Sequence, residues 1–156
     1  MSHTTEVKSV LMTDAKAIEA TVAELHKLGV KCLLLRDARP RMYYQGQYKT
    51  NCAYVLKLEG CPYDIGFDKY EHDLGNGKTT TAYKMVFDEW GSHIKSKVGS
   101  VCHIEDAGKS INHVGMATQL YSKHAAFNAA KKAGWPVRSV KVNDNGEIQL
   151  IFEKRR

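Results

Sequence analysis

The stretch Gln119-Leu-Tyr-Ser-Lys-His-Ala-Ala-Phe-Asn-Ala-Ala-Lys-Lys-Ala-Gly-Trp-Pro-Val-Arg-Ser-Val-Lys-Val-Asn-Asp-Asn-Gly-Glu-Ile-Gln-Leu-Ile-Phe-Glu153 reads as one unit: a basic amphipathic helix, a stop, and a two-stranded hairpin. Leu120, His124, Phe127 and Ala130 recur at spacings of three and four, the period that lines up one helical face, and Lys123, Lys131 and Lys132 surround it. Gly134 and then Pro136 end the helix, the first by tolerating a left-handed backbone and the second by lacking an N–H. From Val137 to Val142 and from Glu147 to Glu153 apolar residues alternate, which predicts two strands. Asn143-Asp144-Asn145-Gly146 between them has the Asn-Gly chemistry of a hairpin turn.

Working back from this unit, Glu6 to Met12 predicts a short strand and Thr13 to Leu28 a helix, with Thr13 as cap, Ile18, Val22 and Leu25 as stripe, and Gly29 as stop. Val30 to Leu35 is a compact apolar run, read as a strand buried on both faces. Cys52 to Leu58, Asp64 to Tyr70 and Tyr83 to Phe87 are three more strand segments, and Gly75-Asn76-Gly77 turns the chain between the last two. Asp88 to Asn112 has no sustained period and reads as irregular, with one short strand around Val101. The order predicts an α+β fold: a single domain over residues 1–156, with two helices packed on a mainly antiparallel sheet and a C-terminal helix–hairpin.

A chain of 156 residues with 43% apolar content supports one core and is short for two. Cys32, Cys52, Cys61 and Cys102 form no C-x-x-C pair and no metal spacing, so they read as reduced thiols of a cytoplasm. The first residues lack the basic and apolar regions of an export signal, and no apolar run approaches membrane-spanning length; the expectation is a soluble cytoplasmic protein with no membrane partner. The net charge of +6 is uneven: residues 119–156 hold eight Lys/Arg against three Asp/Glu, the rest fifteen against fourteen. A basic end finishing in Lys154-Arg155-Arg156 attracts polyanions, unless it is merely solvated surface.

Between Arg36 and Lys49 the chain interleaves Arg36, Arg39, Arg41 and Lys49 with Tyr43, Tyr44 and Tyr48, pairing phosphate-seeking cations with rings on which unpaired bases stack. Together with Lys131, Lys132, Arg138 and Arg155 these residues make a candidate surface for RNA or single-stranded DNA. The bland alternative is a solvated loop whose tyrosines cover the core edge. No zinc-finger spacing and no RRM signature is present. Gly77-Lys78-Thr79 resembles the end of a P-loop, but His72 stands where that motif needs glycine and a strand follows where it needs a helix. His103, Glu105, Asp106 and His113 are the densest potential metal cluster yet lack ligand spacing, so neither metal nor cofactor is expected. Tyr121 and His124 lie three apart on the C-terminal helix; facing a carboxylate such as Asp64, with Tyr63 nearby in sequence, they would make a small-ligand or acid–base site. His124 also lies on the apolar stripe, where a hydrogen-bonded core histidine is the plainer reading.

The Met1-Ser2-His3 start, Cys61-Pro-Tyr-Asp-Ile-Gly-Phe67, and the Tyr121-x-x-His124 helix ending Lys132-Ala-Gly-Trp135 before Asp144-Asn-Gly-Glu-Ile148 together resemble the family of short hypothetical reading frames of plastids, cyanobacteria and tailed phages. The family brings no established activity. The resemblance implies a compact α+β fold, keeps Tyr63, Asp64, Gly66, Tyr121 and His124 in view as site or core residues, and implies a viral source, where small proteins often bind a host component. The chain departs from it in the longer Arg/Tyr-rich stretch and the extended Asp88 to Asn112 region. The leading functional expectation is a small basic non-enzymatic protein that binds RNA or single-stranded DNA. A protein-binding module acting on a host or partner complex is second, and a ligand or hydrolytic site around Asp64, Tyr121 and His124 is third.

Overall fold

A computed structural model describes residues 4–43, 48–100, 109–142, 144 and 148–153. Strand β1 (Thr4–Met12) leads into helix α1 (Ala15–Lys27), followed by β2 (Cys32–Ala38), β3 (Cys52–Leu58), β4 (Ile65–Gly75) and β5 (Lys78–Asp88). After a 3-10 turn at Trp90–Ser92 come the short helix α2 (His93–Val98), a second 3-10 segment at Lys109–Val114, helix α3 (Gly115–Lys132), and the hairpin β6 (Val137–Val142) and β7 (Ile148–Phe152). The fold is α+β: β1 to β5 form one antiparallel sheet in the order β1-β5-β4-β3-β2, while β6 and β7 pair apart from it.

Local chemistry accounts for the boundaries. Asp14, not Thr13, caps α1: its carboxylate accepts a hydrogen bond from the Ala17 N–H at 3.1 Å. Asn76 and Gly77 sit at φ 53° and 72°, the left-handed pair that a tight β4–β5 hairpin requires. The Gly77-Lys78-Thr79 sequence is thus a turn entering β5.

One face of the sheet carries the main core. Leu56, Leu58, Ile65, Phe67, Met85 and Phe87 point toward α1, α2 and α3, which contribute Ile18, Leu25, Ile94, Val98, Leu120 and Tyr121. Because alternate residues of a strand point oppositely, Val55 and Val86 face the other way, where they meet Met42, Tyr48 and Cys52 in a smaller cluster. The segment after β2 therefore straps the back of the sheet. Its first part, read from sequence as an interaction loop, buries Met42 and Tyr48 at 4% and 6% exposure.

Three expectations change. Val30 to Leu35 is not covered on both faces: β2 begins at Cys32 at the sheet's edge, with Cys32 and Leu34 toward the helices but Leu33 and Leu35, at 63% and 38% exposure, on the other face beyond the back cluster. The region after Asp88, which lacks periodicity, holds α2, a helix too short to show a repeat. In α3 Leu120 and Ala130 of the expected stripe are buried, but most of the buried face lies in the N-terminal half, at Ala117, Thr118, Leu120 and Tyr121, while His124 and Phe127 are only half-buried. The strand expected around Val101 and the turn residues Asn143, Asn145 and Gly146 lie outside the described residues.

An ionic clamp joins the two long helices. Glu24 on α1 accepts hydrogen bonds from Lys123 and pairs with His124 on α3. Burial pushes the Glu24 carboxyl up, but the bonds and charges of Lys123 and His124 together outweigh it and hold the group below its ordinary value of 4.5. A depressed carboxylate pKa means the folded state binds its proton less readily than the unfolded chain, so the clamp's contribution is present above about pH 4.5 and is lost as pH falls through the lowered value. Glu24→Gln is expected to cost about 1–2 kcal/mol near neutral pH. Urea denaturation against pH should show a smaller acid-side loss for the variant; an identical pH dependence would rule out the clamp.

Candidate functional site

The Arg/Tyr stretch divides into anchored and free residues. Arg41 and Asp64 grip each other: the Arg41 N–H and Nε donate to Asp64 Oδ2 at 2.9 and 3.0 Å, Nη2 donates to Oδ1 at 2.7 Å, and the Asp64 N–H returns a bond to the Arg41 carbonyl at 3.2 Å. Asp64 is 3% exposed, so its charge is matched by a guanidinium that also donates to the Leu58 carbonyl. Hydrogen bonding to Asp64 holds the Arg41 guanidinium further into its charged form. The Tyr48 hydroxyl donates to Asp68, and burial beside that carboxylate pushes the phenol up to about 12. Both residues stitch the strap to the sheet.

Arg36 lies on β2, bonded to Glu19 at 2.7 Å and stacked over Tyr54. Arg39 and Lys49 are exposed, Lys49 over the Tyr48 ring. Tyr43, 55% exposed, leans on Trp90, 48% exposed, at 5.3 Å, with Tyr63 and His93 edge-on beneath. Buried Asp88 holds this ledge by accepting the N–H groups of Tyr43 and Trp90. Trp90 and His93 were missed in the sequence because they sit in the stretch without periodicity. Tyr44 and Arg155 lie outside the described residues, as do His103, Glu105 and Asp106.

Tyr63, Asp64, Tyr121 and His124 are not brought onto one site. Asp64 is taken by Arg41, and His124 by Glu24. The Tyr121 hydroxyl accepts the N–H groups of Thr13 and Asp14 at 2.9 and 3.0 Å, which fastens the start of α1 to α3. Burial raises the Tyr121 phenol, so it remains neutral. Among the described residues no group of three His, Cys, Asp or Glu is arranged to hold a metal ion, and Cys32, Cys52 and Cys61 are buried free thiols.

The basic residues of α3 do converge with others. Lys131 and Lys132 line an open groove of about 970 Å³ with Lys16, Asn128 and the start of α1. Asp14 is the groove's carboxylate, and Asn128 donates to it at 2.9 Å. Lys131 also borders an adjoining apolar pocket of about 420 Å³ made by Phe127, Gly134, Trp135, Pro136 and Val137. Trp135 is 39% exposed there, and Arg138 follows on β6. Cations thus abut an aromatic wall where helix turns into hairpin. No helix among the described residues is long and apolar enough to cross a membrane. No family model, curated protein or solved structure matches this chain.

Proposed function

We propose that this is a small basic, non-enzymatic binding protein whose ligand is RNA or single-stranded DNA, held along the groove between α1 and α3. The observation that carries the reading is Lys16, Lys131 and Lys132 in one groove, continuous through Lys131 with the pocket of Phe127 and Trp135. Lysines neutralise successive phosphates, and an exposed indole offers a face to any base, which favours unpaired strands over duplex. Tyr43 and Trp90 supply a second aromatic ledge, Tyr43 lying on the segment that also carries exposed Arg39. In this reading the chain is a relative of the plastid, cyanobacterial and tailed-phage reading frames and works in the cytoplasm, a host's if its source is viral; the sequence resemblance is the support for that part.

Fluorescence anisotropy with short labelled RNA, single-stranded DNA and duplex DNA, at low and near-physiological salt, tests it. Single strands are expected to bind with strong salt dependence, and removing each phosphate-contacting lysine should lower the salt slope by about 1. Trp135→Ala should weaken binding by about 1–3 kcal/mol if one base stacks there. Binding that is absent, insensitive to salt, or unmoved by Lys131→Ala with Lys132→Ala would overturn the reading.

A second reading is a protein-binding module that inhibits or modifies a host or partner complex. Its support is the hairpin, which exposes Val140, Val142 and Ile151. A pulldown from nuclease-treated lysate separates the two, since a partner retained through Val140 and Ile151 is not bridged by nucleic acid.

A further inference from the structure

A second cationic site lies at the opposite end of α1. Beneath its last turn, His26, Lys31, Arg41 and Lys57 line a cleft of about 600 Å³ together with Leu33 and Glu59. That volume falls within the range of about 300–1,000 Å³ typical of small-molecule sites. The basic residues come from separate elements: α1, the approach to β2, the strap and β3. A fifth, Lys97 of α2, reaches the rim, its Nζ 3.6 Å from where a Cβ on the lining residue Gly60 would stand. Among the described residues Lys31, Lys57 and Lys97 have no ion-pair partner, and Glu59 is the carboxylate in the lining.

We infer that this cleft binds a phosphorylated small molecule of nucleotide size. Arg41 is spent on buried Asp64 and the Leu58 carbonyl through Nε and Nη2, so it fixes the cleft wall and adds little net charge, while the exposed Lys31 and Lys57 act as movable point charges on phosphate oxygens. Leu33, exposed on the edge strand, and Cys32 form an apolar wall for the non-phosphate part. The charge is local: further along β2, Arg36 is neutralised by Glu19, and the exposed Asp37 and Arg39 offset one another, so a polymer continuing along this edge meets no further surplus of cation there. From Lys16 in the groove to His26 in the cleft is about 15 Å along the helix at 1.5 Å per residue, so the two sites are separate.

Isothermal titration with inorganic pyrophosphate and with adenosine diphosphate tests the inference. Both probes are expected to bind the full chain, adenosine without phosphate is expected not to, and Lys31→Ala with Lys57→Ala should weaken both at least tenfold. These lysines are exposed, so the melting temperature is the control for folding and should stay within a few degrees. Lys131→Ala with Lys132→Ala should leave pyrophosphate affinity unchanged. The inference falls if neither probe binds at millimolar concentration, if the Lys31/Lys57 variant binds within twofold of the parent, or if adenosine binds as well as its diphosphate. It falls equally if single-stranded RNA displaces pyrophosphate and the Lys131/Lys132 variant weakens both, because the cleft is then part of a polymer's path.

Discussion

Asp64→Ala is expected to destabilise the protein by about 2–3 kcal/mol, because it deletes the buried carboxylate that accepts from Arg41, while water reaches the half-exposed guanidinium and offsets part of the loss. The carboxylate accepts three bonds from Arg41, one of them from its backbone N–H, so the loss loosens the strap as well as the side chain. Asp64→Asn keeps an acceptor without the charge and should cost less. Replacing both partners by apolar residues, Arg41→Met with Asp64→Leu, should cost less than Asp64→Ala alone, since no charge is then left unpaired. Urea unfolding of the four proteins decides the matter. An Asp64→Ala protein with unaltered stability would return this residue to the list of ligand-site candidates.

Gly66→Val is expected to cost about 3 kcal/mol or more by overpacking. A Cβ at Gly66 would lie 2.7 Å from Cys52 Sγ and 2.8 Å from both Pro40 Cγ and Val86 Cγ2, and valine adds two methyls beyond it. The contacts are the meeting of strap and sheet: Gly66 pairs with Val55 and Val86 in the register, and Pro40 crosses above. Gly66→Ala should be milder, and both variants should lose stability more than Gly75→Ala, where a Cβ meets nothing within 4 Å although φ is 84°. A Gly66→Val protein that melts with the parent would show that the strap lifts freely from the sheet. Limited proteolysis between residues 39 and 51, faster in the variant, would show where the strain goes.

Much of the framework is legible in the chain because its causes are local. The helix α1 stripe of Ile18, Val22 and Leu25, the β4–β5 turn at Asn76-Gly77, and the helix–stop–hairpin order of residues 119–153 follow from periodicity and turn chemistry within a few residues of one another. The separation of the hairpin from the main sheet has no such local cause, and neither has the edge position of β2. An apolar run such as Val30 to Leu35 looks alike whether one of its faces is covered by packed elements or both are.

Side-chain employment was decided by tertiary structure alone. Arg41 and Tyr48 carry the composition of a nucleic-acid loop, yet partners at positions 64 and 68 turn them into anchors of the sheet's back face. Tyr121, His124 and Asp64 look like a constellation because tyrosine, imidazole and carboxylate suit acid–base chemistry, but each is engaged by a different partner. Lys16 and Lys131 are far apart in sequence and line one groove, as Lys31 and Lys57 line another. Helix period and turn type depend on neighbours along the chain. Charge pairing, strand neighbours and cleft walls depend on contacts that form only when distant segments pack, so composition could name the cations of this protein but not separate those that hold the fold from those left facing solvent.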